Sequence, residues 1–431
     1  MGVLHNASGL TPRRATASLP SPGHSQYIRP CSCGVRTPKK HMATTVAAAS
    51  GVKSTSIVDG VLDFMLMFVQ PEPSPSELGW RTDFADVYSL KDKLGRGAFG
   101  EVRLAVHKSR CQEYAIKTMR KVRGMTSRES SLRKIKREAR LMTLAGASCP
   151  GVVRLFDTFE EREVVHLVTE VCRGGDLRRH VEAHGPLGEA ALGAVAAEVL
   201  KIVRDCHALG IMYADVKPAN FCLMDADALP SAAAGSLGAL SGKLKAVDFG
   251  CSQQFGAAAG RSERLSKRTG TLAFMAPEIF DQDFSAKADV WSVGVTLYWL
   301  FSGRLPYWGA GEAPEMTSVD GMAELARSAD IDVSSGAWEG MSAEGRSFVK
   351  RCLCRDEARR LSVDEALAHP WIQRWAGGGA TAAAAADMPA TPNAPAVAQR
   401  AALAADLAAA RIGAATVVLA AAGADAPLHS S

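Results

Sequence analysis

The first 58 residues contain no aspartate and no glutamate, an absence that sets them apart from the rest of the 431-residue chain. Arg13, Arg14, Arg29, Arg36, Lys39, Lys40 and Lys53 stand there among many Ser, Thr and Ala, the composition expected of an organelle transit peptide. The Ser and Thr content favours a plastid address over a mitochondrial one. A disordered basic extension of a cytoplasmic protein is the alternative. Met42-Ala43-Thr44-Thr45 offers a second organelle-type start, and Gly2 makes a poor acylation site because Asn6 stands where Ser or Thr is wanted.

Other absences narrow the field. No apolar run reaches the length of a membrane span; Gly60 to Gln70 is too short and carries Asp63. The ten cysteines include no C-x-x-C and no metal-ligand spacing, which points to reduced thiols in a reducing compartment. Cys251 reads as a buried, inert thiol. The chain lacks any D-x-[DN]-x-[DN]-G loop, so direct calcium binding of the EF-hand kind is not expected. Beyond Trp375 the only basic residues besides His429 are Arg400 and Arg411, too few for a basic amphipathic calmodulin target. A net charge of +5 is small for this length, and nucleic acid is not implied as a partner.

What is present is chemistry for moving phosphate. Tyr213 to Asn220 reads YADVKPAN, and Asp248-Phe249-Gly250 follows downstream. Asp215 is placed to take the proton of an attacking hydroxyl, Lys217 to neutralise charge on the moving phosphate, and Asn220 and Asp248 to hold metal ions. Upstream, Leu94-Gly95-Arg96-Gly97-Ala98-Phe99-Gly100-Glu101-Val102 has the G-x-G-x-x-G pattern. Such glycines let backbone N–H groups approach phosphate oxygens, with apolar Leu94 and Val102 able to roof an adenine ring. Glu101 to Val106 alternates polar and apolar residues. That favours a strand, hence a β-hairpin, over the helix of a dinucleotide fold.

In this order the segments resemble a eukaryotic protein kinase catalytic domain from about Val87 to Trp375. The resemblance implies a bilobal α+β fold: a small β-rich lobe with one helix, then a larger helical lobe. It implies ATP and Mg²⁺ as cofactors and a protein substrate. Lys117, in Ala115-Ile116-Lys117, would hold the α- and β-phosphates and pair with Glu138. Ala276-Pro277-Glu278 matches the family's A-P-E, Arg360 stands where its buried arginine partner is kept, and Asp289 would brace the catalytic loop. Leu167 to Cys172 resembles the hinge, with backbone groups of Glu170 and Cys172 facing adenine and Thr169 as a small gatekeeper. Ala115, Cys222 and Val247 would complete the pocket, and Asp176 would reach the ribose. Lys217 with Thr271 resembles the pair that marks serine/threonine specificity. Cys172 to Leu177, Asn220-Phe221 and Glu365 to Trp371 look most like the calcium- and calmodulin-dependent branch, including the plant calcium-dependent kinases.

Departures from the pattern carry information. Tyr213-Ala214-Asp215 replaces H-R-D, removing the arginine that would receive an activation-loop phosphate. Activity independent of that phosphate is expected, although Arg261 to Thr269 remains basic and rich in hydroxyls. Ala219 stands where basophilic relatives place glutamate, leaving Asp176 as the remaining carboxylate for a substrate arginine. A catalytically silent scaffold is the alternative function, but it would have no chemical need for Lys117, Asp215, Asn220 and Asp248 together. Around the domain, 1–58 forms the leader or extension, and 59–86 a linker broken by Pro71, Pro73 and Pro75. Residues 225–243 read as a low-complexity surface insertion and 376–431 as an Ala-rich tail without assigned function. A monomer is expected.

Overall fold

The computed structural model describes residues 76–97, 100–122, 124–229, 240–255, 263–307 and 318–376, and of Arg96 and Gly97 only the backbone. The expectations for the 1–58 leader, for Ala98 and Phe99, for residues 230–239 of the insertion, for Ser262 and for the tail from 377 onward lie outside the described residues. Compactness divides the chain into Met1–Glu72 and Pro73–Ser431, and every described residue belongs to the second unit.

The small lobe follows from alternation. After a one-turn helix, α1 (Phe84–Val87), come β1 (Tyr88–Gly97), β2 (Gly100–His107) and β3 (Glu113–Arg120). The helix α2 (Arg128–Ser148) follows, then β4 (Leu155–Glu160) and β5 (Val164–Thr169). The strands form an antiparallel sheet in the order β1-β2-β3-β5-β4. Gly97 faces Gly100 across the first hairpin, so the glycine run turns strand to strand. At Gly100 a Cβ would lie 1.9 Å from the carbonyl oxygen of Thr118, a contact only glycine avoids. α2 begins at Ser127, whose hydroxyl accepts from the Ser130 N–H at 3.2 Å, and it stops just short of Pro150. Its buried face places Ile135, Glu138, Ala139, Leu141, Met142 and Ala145 at helical spacing.

The large lobe is mostly helical. It contains β6 (Gly175–Asp176), α3 (Leu177–His184), α4 (Glu189–Ala208), β7 (Ile211–Met212), β8 (Phe221–Leu223), β9 (Leu244–Ala246) and β10 (Gln253–Gln254). Then come α5 (Pro277–Phe280), α6 (Lys287–Ser302), α7 (Val319–Ser328), α8 (Ala343–Cys352), α9 (Val363–Leu367) and α10 (Pro370–Ala376). α4 and α6 are buried on nearly every side and form the centre of the lobe. α6 ends at Gly303, whose φ of 72° supplies a left-handed cap. The short ladders β6-β8-β9 and β7-β10 fix the loops that carry the site. No helix among the described residues is long and apolar enough to cross a membrane. The expected bilobal α+β architecture is what the chain adopts.

One boundary differs from the expectation. The prolines suggest a free linker as far as Asp86, yet residues from Ser76 onward are built into the small lobe. Glu160, at the end of β4, accepts from the Ser76 hydroxyl, from the Glu77 N–H at 2.8 Å and from the Leu78 N–H at 3.0 Å. Buried Lys121 donates to the same carboxylate at 2.6 Å. Arg81 continues along β4, its carbonyl accepting from the Glu160 N–H at 2.7 Å and its guanidinium meeting Asp157 at 2.8 Å. Burial alone would raise the Glu160 pKa, but Lys121 and the three other donors outweigh it and hold the carboxyl at about 2, against an ordinary 4.5. A carboxyl with a depressed folded-state pKa stabilises fully above about 4.5 and loses that contribution as pH falls toward 2. Acid titration is therefore expected to destabilise the lobe within that window, and Glu160→Gln to flatten this part of the profile in thermal melts taken between pH 5 and pH 2.5.

Candidate active site

Three charged side chains meet between the lobes. Lys117 on β3 donates to Glu138 of α2 at 2.6 Å and to Asp248, two residues past β9, at 3.0 Å. Burial works against the lysine's charge, but Asp248 and Glu138 outweigh it and hold the pKa above the usual range. Asp248 moves the other way: burial would raise it, yet Lys117, the Gly250 N–H at 3.0 Å and Lys217 keep it below the carboxylate norm. Burial instead raises the Glu138 pKa, so Lys117 and Asp248 are the groups the cleft holds charged at low local dielectric, where an added anion would be felt strongly.

The second cluster sits on the loop between β7 and β8. Asp289, at the start of α6 and fully buried, accepts from the backbone N–H groups of Tyr213 and Ala214 at 2.9 and 2.8 Å and meets His207 at 2.8 Å. This bracing holds Ala214 at a φ of 65°, a conformation that L-residues adopt only when neighbours enforce it. Asp215 is then presented with both oxygens engaged. The Thr271 hydroxyl donates to Oδ1 at 2.7 Å, the Asn220 amide donates to Oδ2 at 2.8 Å, and Lys217 lies 2.8 Å from Oδ2. Lys217 also donates to the Thr271 hydroxyl at 2.7 Å, closing a triangle. Neighbouring Gly270 has a φ of 114°, and a Cβ there would lie 2.3 Å from the Ala214 carbonyl oxygen. Asn220 spends its amide donors on Asp215, which leaves its oxygen end for a ligand.

Aromatic packing couples the two clusters. The Tyr213 ring meets Phe249 edge to face at 5.2 Å and tilts toward Phe221 at 5.8 Å. Its buried phenol is pushed well above the usual pKa by burial and by Asp248, so it acts as an apolar stacking element. Cys251 is buried and its thiol is pushed up by burial, as expected of an inert cysteine. Thr269 is less available than its loop position suggests: its hydroxyl donates to the Cys251 carbonyl at 2.8 Å and accepts from Gln253 at 3.1 Å. Deeper in the large lobe, Arg360 makes a two-pronged pair with Glu278 of α5, donates to the Cys354 carbonyl at 2.8 Å and lies 5.2 Å from the Trp291 ring centre.

The residues expected around a nucleotide lie on the strands and loops next to these clusters. Val102 pairs with Lys117 across β2 and β3, and Ala115 with Thr169 across β3 and β5. The Thr169 hydroxyl is buried and donates to the Ala115 carbonyl at 3.4 Å. The Glu170 side chain faces away from the adenine role given to its backbone: it accepts from the Arg154 N–H at 2.8 Å and pairs with Lys245 at 3.2 Å. The Cys172 thiol, pushed up to about 12 by burial and by Glu170, lies 3.7 Å from the Met224 sulfur. Cys222 is likewise raised by burial. Asp176 caps α3, accepting from the Arg179 N–H at 2.9 Å, and pairs with the Arg179 guanidinium at 3.3 Å. Arg179 also donates to the Leu94 carbonyl at 3.1 Å, beside Gly95, and so ties the glycine strand to the large lobe. The position three residues after Asp176 was a sequence signal for the Asp176 pair but not for the contact with Leu94, 85 residues away. Among the described residues no group of three or more His, Cys, Asp or Glu could hold a metal alone. A magnesium ion that shares its shell between one or two protein ligands and phosphate oxygens needs no such group.

A β-rich lobe closed over a helical one, with an ion-paired cleft between them, defines a kinase-type architecture. Residues 88–372 match the family model described as protein kinase domain, and the chain belongs to that family. It is 34% identical over 292 residues to calcium-dependent protein kinase 2 of Oryza sativa subsp. japonica, covering 68% of this chain and 52% of that protein. Calcium-dependent protein kinase 31 of Arabidopsis thaliana is 34% identical over 296 residues, 68% of this chain and 56% of that protein. Serine/threonine-protein kinase PEPKR2 of Arabidopsis thaliana is 31% identical over 297 residues, 69% and 56% respectively. The chain spans about half the length of the curated relatives it matches.

Proposed function

We propose that this protein is a serine/threonine protein kinase that transfers the γ-phosphate of ATP to protein hydroxyls. The observation that carries the reading is the closed triangle of Asp215, Lys217 and Thr271. It positions a carboxylate to accept a hydroxyl proton beside a cation that can balance charge on the phosphoryl group. Lys117, aligned by Glu138, is the group for the α- and β-phosphates. Mg²⁺, held by Asp248 and Asn220, would neutralise phosphate charge as it develops. A catalytically silent scaffold would not need the Lys117–Glu138 pair kept intact. Ser, Thr and Tyr versions of one peptide test the specificity: transfer to Ser and Thr is expected, and transfer confined to Tyr would contradict the reading.

Two of the three named relatives are calcium-dependent kinases, but no D-x-[DN]-x-[DN]-G run occurs in this sequence, and the reading is of a catalytic domain active without calcium. Ala219, together with an Asp176 already paired to Arg179, argues against a sharp demand for arginine in the substrate. The acid-free N-terminus supports import into a plastid.

Activation-loop phosphorylation is dispensable in this account. Arg264 in that loop meets Asp283 at 2.6 Å and Glu357 at 2.5 Å and donates to the Asp283 carbonyl. Leu265 and Phe284 exchange backbone hydrogen bonds at 2.7 and 3.1 Å. The clasp anchors without a phosphate the segment that leads to Thr271. A variant with Ser262→Ala and Ser266→Ala is expected to keep at least about half the transfer rate, whereas Arg264→Gln should lower it about fivefold, consistent with a modest, partly exposed ion-pair network. Loss of all activity in the double alanine variant would sink the idea.

A further inference from the structure

The segment before the kinase domain does more than pack. Glu77 lies upstream of the matched family residues 88–372, yet its carboxylate reaches both ends of the connection between β3 and α2. Lys121, the residue after β3, donates to Glu77 Oε1 at 2.9 Å. Arg128, the first residue of α2, grips both oxygens, with Nε at 3.1 and 3.0 Å and Nη2 at 2.8 Å from Oε1. The Arg128 guanidinium also donates to the Arg162 carbonyl at 2.6 Å, so helix start, strap and the β4–β5 turn share one node.

The strap is itself fixed. Ser76 accepts from the Gly79 and Trp80 N–H groups at 2.8 and 3.0 Å, forming a tight turn around its own hydroxyl. That turn is docked on buried Glu160 by the hydrogen bonds described above. Leu78 and Trp80 pack against the main apolar core. Lys117 lies on the strand that ends just before Lys121, and Glu138 on the helix that Arg128 begins, so one carboxylate sets the relation between the two elements bearing the essential ion pair. That pair must be in place for phosphoryl transfer in this family.

We propose that Glu77 is a positioning residue for catalysis: by clamping Arg128 and Lys121 it holds α2 where Glu138 meets Lys117, so this chain carries its own helix clamp ahead of its kinase domain. The proposal rests on the kinase reading. A bidentate carboxylate–arginine contact has the planar geometry such a hinge point requires, and trimming this chain to residues 88–372 would remove it.

The test uses the full chain with Glu77→Gln, Arg128→Gln and both together. Glu77→Gln keeps the side chain's size and the backbone N–H bond to Glu160, removes the charge and replaces one of the two oxygens that accept from Arg128 by a donor amide. The expected result is a kcat about tenfold lower with the peptide KM within about twofold, and amide hydrogen exchange over residues 128–138 about tenfold faster while α6 is unchanged. The double variant should be no slower than the worse single variant. Wild-type kcat in Glu77→Gln, exchange accelerated equally in α6, or additive losses in the double variant would each overturn the proposal. If the unmodified chain transfers no phosphate, the kinase reading fails, and the exchange result still decides whether Glu77 holds α2.

Discussion

Asp215→Asn is expected to lower kcat by about 10²–10⁴-fold, the usual contribution of a positioned general base, with ATP binding and melting temperature little changed. The substitution keeps volume but replaces one carboxylate oxygen by an N–H₂ group. Asp215 accepts from Thr271 at one oxygen and from Asn220 and Lys217 at the other. Turned toward Asn220 and Lys217 the new amide sets donor against donor, turned toward Thr271 it makes that hydroxyl switch from donating to accepting, and either way the side chain can no longer take a proton. The surrounding frame persists because the Asp289 contacts to Tyr213 and Ala214 are made by their backbone. ATP affinity measured by titration and kcat measured by peptide phosphorylation separate the two effects. A variant with kcat within threefold of wild type would remove Asp215 from the chemistry.

The largest loss of stability is expected from Arg360→Met. Arg360 is 1% exposed and gives Glu278 two charge-assisted hydrogen bonds. Methionine fills similar space but leaves the largely buried Glu278 carboxylate, 12% exposed, without its cation, and the Cys354 carbonyl without its donor. Removing one partner of a buried pair costs about 3–5 kcal/mol, far above a surface substitution. Glu278 sits on α5, close after Thr271, so the damage reaches the triangle. A fall in melting temperature on the order of 10 °C together with reduced transfer is the expected outcome. The double variant Glu278→Gln with Arg360→Met should recover part of the stability, because it leaves no unpaired buried charge.

Much of the site was legible because its chemistry demands residue types at short spacing. Asp215, Lys217 and Asn220 lie within six positions, and the glycine run announces its hairpin through the alternation that follows Gly100. The same local logic failed where partners are far apart. Ser76 and Glu160 are 84 residues apart and Arg264 and Glu357 are 93 apart. Nothing near Ser76 signals a buried acceptor, and the prolines before it argue for a loose linker. Arg264 looks like one more cation in a solvated basic loop until Asp283 and Glu357 are brought to it. Asp176 reads as a free carboxylate, but as the cap of a short helix it meets Arg179 one turn on. Thr269 has the sequence context of a modifiable hydroxyl and instead closes a turn behind Cys251. Glu138 was legible through the family resemblance, which placed a helix carboxylate opposite Lys117, and the pair forms at 2.6 Å.

The central claim is tested most directly by transfer of labelled γ-phosphate from Mg–ATP to a serine peptide, with the full chain beside its Asp215→Asn variant, in chelator and in added calcium. The account predicts transfer by the unmodified chain, equal in both conditions, and its near abolition by the substitution. A folded, ATP-binding protein that transfers no phosphate, or one whose transfer survives in Asp215→Asn, would contradict it.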